Sequence, residues 1–131
     1  ALSDVEETCQ FAAATKVDAL AVSIGTAHGY YKQTPKLDLD LCRQIGERLP
    51  GLPLVLHGGT GTPLEDVQKA IALGITKINV ATEFQHTFLK AVQADLEAAN
   101  GNFIPVDKFM DAPIERCAEH LRKLIRAFAL R

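Results

Sequence analysis

Two apolar runs in this chain each end in a histidine followed by glycine. Ala21-Val22-Ser23-Ile24-Gly25-Thr26-Ala27-His28-Gly29 is the first, and Leu54-Val55-Leu56-His57-Gly58-Gly59-Thr60-Gly61 is the second. Neutral imidazole is a common zinc ligand, and a glycine beside it lets a metal or substrate approach the backbone without meeting a Cβ. One histidine in such a place is weak ground for a site. Two of them, 29 positions apart at 28 and 57, span one strand-helix unit and point to neighbouring strand ends that share a divalent ion. A catalytic zinc takes three protein ligands and keeps an open position; this chain offers two good candidates, His28 and His57.

Gly58-Gly59-Thr60-Gly61-Thr62 lies between a strand pattern and a helix pattern. It has neither the Gly-Lys-Ser/Thr ending of a P-loop nor the G-x-G-x-x-G spacing. What it has is a set of backbone N–H groups, the Thr60 hydroxyl and the positive end of a helix dipole, which together can hold a phosphate without a basic side chain. A tight turn that merely needs glycine is the plain alternative. A third run, Lys77-Ile78-Asn79-Val80-Ala81-Thr82-Glu83, repeats the arrangement, and phosphate sites built from two successive strand-loops recur in α/β barrels. Tyr30, Tyr31 and Lys32 could line this mouth but read first as loop packing and a solvated amine. His86 and His120 fall in helical patterns away from the strand ends and read as ordinary surface or core-edge histidines. Glu115, Arg116, Glu119, Arg122, Lys123 and Arg126 read as a solvated helix face.

The elements that must position these groups follow from periodicity and punctuation. Ser3-Asp4-Val5-Glu6 has the form of a capping box, predicting a helix from Ser3 as N-cap to about Ala14, with Val5, Cys9, Phe11 and Ala12 inward. Val17 to Ile24 predicts a strand buried on both faces. Gly25 to Asp38 is a loop, and Leu39, Leu41, Cys42, Ile45 and Leu49 mark a helix stopped by Pro50-Gly51. Leu52 to His57 is the second strand. Thr62-Pro63-Leu64-Glu65 is a second capping-box pattern, with Thr62 as N-cap and Pro63 at the first helical position. That helix runs to Leu73, with Gly74 ending it; Ile75 to Val80 is the third strand. Thr82-Glu83 opens a helix closed by Asn100-Gly101, and Ala112 to Leu130 is the last helix. Each strand reaches the next through a helix, so the sheet is expected to be parallel with right-handed crossovers.

The chain has 131 residues, 47% hydrophobic and 23% charged, with net charge −2. That suits one globular domain, and residues 1–131 read as a single partial domain. The charge gives no reason to expect nucleic acid or a membrane as partner, and no apolar stretch reaches transmembrane length. The acidic start has no signal-peptide core. Cys9, Cys42 and Cys117 are far apart and read as reduced thiols in a cytoplasmic protein. A closed (β/α)8 barrel needs roughly 200 residues or more. With no initiator Met and only three strands, the expected fold class is α/β, the carboxyl-terminal part of such a barrel, with a closing helix.

The three runs resemble the carboxyl-half signatures of the class II, zinc-dependent ketose-bisphosphate aldolases, in order and spacing, over nearly the whole chain. The resemblance implies a lyase of carbohydrate metabolism that cleaves a ketose 1,6-bisphosphate, of fructose or tagatose type, to dihydroxyacetone phosphate and glyceraldehyde 3-phosphate. It implies Zn2+ as Lewis acid, held by His28 and His57. Gly29, Gly58, Gly59 and Thr60 would hold the phosphate of the three-carbon ketone, with Asn79, Val80, Ala81 and Thr82 completing that site. Thr60 stands where the family often has Ser, keeping the hydroxyl, and Ala81 is similar to the tagatose-type motif. The family's third zinc histidine and its proton-donor aspartate lie in the amino-terminal half, so no catalytic acid is expected in this chain, which alone would be inactive. Full-length members are commonly dimers or tetramers. A non-catalytic phosphate-binding module, or a metal-independent sugar-phosphate isomerase or epimerase, is the alternative.

Overall fold

The structure, a computed structural model, describes residues 2–26 and 34–129. The chain forms two compact units, Ala1–Val80 and Ala81–Arg131. The first holds α1 (Val5–Thr15), β1 (Leu20–Val22), α2 (Leu39–Arg48), β2 (Leu54–Leu56), α3 (Leu64–Ala72) and β3 (Ile75–Ile78). The second holds α4 (Thr82–Ala99) and α5 (Val106–Phe128).

The three strands form one parallel sheet in the order β1-β2-β3, as the alternation of strands and helices predicts. The strands are shorter than their apolar runs. Leu20, Ala21 and Val22 pair with Leu54, Val55 and Leu56. Those three in turn face Ile75, Lys77 and Ile78, so Thr76 is an extra residue on β3. Its hydroxyl donates to the Leu54 carbonyl at 3.4 Å, bridging the interrupted ladder.

The core of this unit is Val22, Ile24, Leu54, Val55, Leu56 and Ile75 from the sheet region, with Cys42, Ile45, Val67 and Ala70 from α2 and α3. β2, the central strand, is buried throughout. β1 is not covered on both faces as expected: Val22 is buried while Ala21 is exposed. Phe11 points outward, 52% exposed, rather than inward. Burial pushes the Cys42 thiol above its ordinary range, which keeps it protonated and inert.

Helix starts follow local hydrogen-bond supply, and two differ from the capping-box reading. Asp4, not Ser3, caps α1, its Oδ1 accepting from Glu7 N at 3.0 Å. Ser3 instead brackets Ser23 just past β1: Ser3 N donates to Ser23 O at 2.8 Å, and Ser23 N donates to Ser3 Oγ at 2.9 Å. α3 begins one residue later than expected because Pro63 is extended (ψ 131°) and occupies the cap position, with no side-chain cap bond. Thr62 Oγ1 is therefore buried with no hydrogen-bond partner among the described residues.

In the second unit α4 has the expected bounds, with Asn100 left-handed (φ 48°) as its C-cap. α5 starts at Val106, six residues before the expected Ala112, and carries Pro113 inside it, fully buried. An interior proline gives up one helix hydrogen bond and crowds the carbonyl four residues back, a cost set here against the full burial of its apolar ring. Glu83 lies near His120, and Asp95 near Arg116 (3.5 Å), so α4 and α5 run antiparallel as a helical hairpin. Among the described residues, no helix is long and apolar enough to cross a membrane.

Candidate active site

The register of the sheet decides which residues meet. Val22, Leu56 and Ile78 lie side by side, so Ser23, His57 and Asn79 are the first residues beyond the carboxyl ends of the three strands. Asn79 N donates to Leu56 O at 3.0 Å, carrying the pairing one step past β3. Asn79 Nδ2 then stands 2.7 Å from His57 Nε2 and 3.2 Å from Nδ1.

Lys77 Nζ donates to Asn79 Oδ1 at 2.5 Å. An ammonium can only donate, so this contact turns the amide oxygen toward Lys77 and leaves the NH2 group to donate toward the imidazole. The closer ring nitrogen, Nε2, then presents its lone pair, and the neutral ring carries its proton on Nδ1. On the other side, Thr26 Oγ1 donates to the carbonyl of His57. Thr26 and Lys77 thus position His57 and Asn79, a role the sequence reading did not assign to either. Lys77 and Asn79, two apart, share one face of a strand, which is the signal that was available. Thr26 had no comparable signal, because its partner is a main-chain atom 31 residues away.

The loop after His57 is built on glycine backbone. Gly58 has φ 69° and Gly61 has φ 75°, both left-handed. Thr62 N donates to Gly59 O at 3.1 Å, closing a β-turn whose third residue is Gly61. Thr60 and Thr62 are both buried in it. Gly59 differs: a Cβ there would make only ordinary contact with Ile78, 3.7 Å away. The turn sits directly before α3, whose first turn carries Glu65 and Asp66.

The loop after β1 is anchored at both of its described ends. Asp38 N donates to Ile24 O at 2.8 Å, and Asp38 caps α2 by accepting from Leu41 N at 2.9 Å. Gly25 has φ +115°, and a Cβ there would stand 2.3 Å from the Lys36 carbonyl oxygen. Between these anchors His28, Gly29, Tyr30, Tyr31 and Lys32 lie outside the described residues. Among the described residues, no three His, Cys, Asp or Glu side chains gather as a metal site.

Val80 ends the first unit, and Ala81 and Thr82 begin the second, where Ala81 is the cap residue of α4 without a side-chain cap bond. His86 and His120 lie on α4 and α5. His120 sits at the core edge: its side chain is 16% exposed and its Nε2 lies 4.0 Å from Glu83 Oε1.

The chain is 42% identical over 127 residues to the sulfofructosephosphate aldolase of Alkalicoccus urumqiensis, covering 97% of this chain and 44% of that protein. It superposes on the crystal structure of the YdjI aldolase from Escherichia coli K12 with a TM-score of 0.84 and 30% identity, covering 97% of this chain and 46% of that one. The fructose-bisphosphate aldolase of Campylobacter jejuni shares the fold, with a TM-score of 0.73 at 20% identity, over 98% of this chain and 45% of that one. The chain thus spans less than half the length of these relatives. Its fold is the carboxyl-terminal part of a (β/α)8 barrel, as expected from the sequence. The family model for class-II fructose-bisphosphate aldolase matches residues 1–130, and the chain belongs to that family.

Proposed function

We propose that the chain serves in reversible aldol cleavage of a ketose phosphate, supplying the phosphate-binding turn and part of a zinc site. The observation that carries this reading is the meeting of His57 and Asn79 at one sheet edge, directly before the Gly58–Thr62 turn. The left-handed glycines of that turn leave the backbone free of Cβ atoms where a phosphate would approach. Gly29, Gly58, Gly59 and Thr60 hold the phosphate of dihydroxyacetone phosphate, with Asn79, Val80, Ala81 and Thr82.

His57 is a metal ligand in this proposal; its Nε2 now accepts from the Asn79 amide at 2.7 Å, and that amide would give way to the ion. His28 is its partner ligand in this proposal. Zinc, when bound, supplies Lewis-acid polarisation of the ketone. The chain's own residues do the rest: Thr26 and Asn79 orient the imidazole, and the turn fixes the phosphate and hence the carbon skeleton. The proton donor on the aldehyde side is an aspartate outside this chain. Full-length assembly as a homo-oligomer and residence in the cytoplasm belong to the same proposal.

The relative with 42% identity is named for a sulfo-substituted ketose phosphate. This favours a substrate whose distal end differs from a bisphosphate while the phosphate-bearing end stays the same. Titration of the chain with dihydroxyacetone phosphate, with and without zinc, tests the reading. Zinc-enhanced binding that Gly58→Ala abolishes is the expected result; binding unaffected by that substitution refutes it. The 131-residue chain alone is expected to show no turnover.

A further inference from the structure

His120 presents a feature that the proposed function leaves unused. Among the described residues its buried Nε2 has no hydrogen-bond partner, an unfavourable state for a polar atom unless another state of the ring uses it. The nearest acidic group is Glu83, the second residue of α4, whose Oε1 is 4.0 Å away. That distance is too long for a hydrogen bond and lies at the outer limit of an ion pair. The Glu83 backbone is fixed in place, since Thr87 Oγ1 donates to its carbonyl at 2.9 Å. The other charged groups nearby in sequence are His86 and Lys90 on α4, and Arg116, Glu119 and Lys123 on α5; of these Arg116 is directed to Asp95 at 3.5 Å.

Glu83 stands in the first turn of α4, where the cap residue Ala81 supplies no side-chain hydrogen bond. A carboxylate there favours the helix but repels an anion held at the amides of that turn. We propose that His120 is a proton-dependent counter-charge for Glu83: a proton taken from solvent by the imidazole converts the contact to an ion pair, cancels the negative charge of the first turn, and strengthens its hold on a phosphate. His120 is then a positioning and charge-tuning residue that itself touches no substrate. The anion half of this inference rests on the proposed phosphate role of Ala81 and Thr82; the His120–Glu83 pair does not.

Sulfate is the probe, because its own charge is constant across the range of about pH 5 to 8 in which imidazoles ordinarily change charge. Sulfate affinity of the wild-type chain should rise as pH falls, by about two- to fivefold more than in His120→Gln or Glu83→Gln. His120→Gln should have no further effect in the Glu83→Gln background. A His120→Gln profile that matches wild type, or an equal effect of His120→Gln in both backgrounds, overturns the proposal. Hydrogen exchange of the amides at 83–87, measured without anion, reads the pair directly. Protection that increases at low pH in wild type but not in His120→Gln or His120→Asn supports the pair; identical protection in all three refutes it. Failure of sulfate to bind, with the exchange difference intact, overturns the phosphate reading and leaves the pair standing.

Discussion

Substitution of Gly25 by alanine tests the anchor of the loop that carries His28. Gly25 has φ +115°, and its added Cβ would stand 2.3 Å from the Lys36 carbonyl oxygen, 3.4 Å from that carbonyl carbon and 3.5 Å from Leu37 Cα. All three are backbone atoms, so no side chain can swing away. The neighbours are equally fixed: Ile24 is fully buried, and its carbonyl accepts from Asp38 N at 2.8 Å. A left-handed conformation costs an L-residue about 1–2 kcal/mol, and forcing an atom into packed space typically adds about 1–3 kcal/mol. Gly25→Ala should therefore destabilise by about 2–5 kcal/mol. Gly51→Ala is the control, because φ is also positive there (+85°) but nothing lies within 4 Å of the added Cβ. It should cost only the backbone share, about 1–2 kcal/mol. Urea unfolding followed by circular dichroism gives both values. Equal losses in the two variants, or a Gly25→Ala loss below about 0.5 kcal/mol, would show that Lys36 does not close on this turn.

Three further outcomes follow from particular contacts. Thr62→Val removes a buried hydroxyl that has no partner, so stability should be unchanged or rise by up to about 1 kcal/mol, whereas loss of a true N-cap would cost about 1 kcal/mol; chemical denaturation distinguishes the two. Long-range proton–nitrogen NMR should show His57 Nε2 as the unprotonated nitrogen, and Asn79→Ala should release this preference. Hydrogen bonds from Arg48, Arg43 and Lys69 hold the Glu6, Asp40 and Glu65 carboxyls below their ordinary values. The unfolded chain therefore binds these protons first. The contribution is whole above the ordinary carboxylate range and disappears as pH falls through the lowered folded values. Arg48→Met should remove Glu6's share of that acid dependence in pH-dependent unfolding, a small effect since the pair is exposed.

The parts of the fold legible in the sequence were those set by local signals. α4 is bounded by Thr82 and by Asn100-Gly101, where helix-opening and left-handed residues stand alone and unopposed. Parallel order followed from each strand being separated from the next by a helix. Where two signals compete, the sequence alone does not choose between them. Ser3 and Asp4 can both cap α1; Ser3 is taken by Ser23, so the cap falls to Asp4. The last helix is expected from Ala112, yet α5 starts at Val106 and carries Pro113 buried within it. Thr76, the extra residue on β3, has no mark in the sequence, because the irregularity belongs to the pairing and not to the strand.

The site was legible as strand ends, not as contacts. His57 and Asn79 were each singled out on separate strands, and only the register brings Nδ2 within 2.7 Å of Nε2. The helical position of His120 says nothing by itself of a carboxylate arriving from another helix.

The proposed zinc site requires imidazoles 28 and 57 to share one divalent ion. X-ray absorption of the zinc-loaded chain, with His28→Ala and His57→Ala beside wild type, measures this directly. The account predicts one zinc per chain with nitrogen neighbours at about 2.0–2.1 Å, one imidazole lost from the shell in each variant, and weaker retention in both. Zinc held with an unchanged shell in either variant would contradict it.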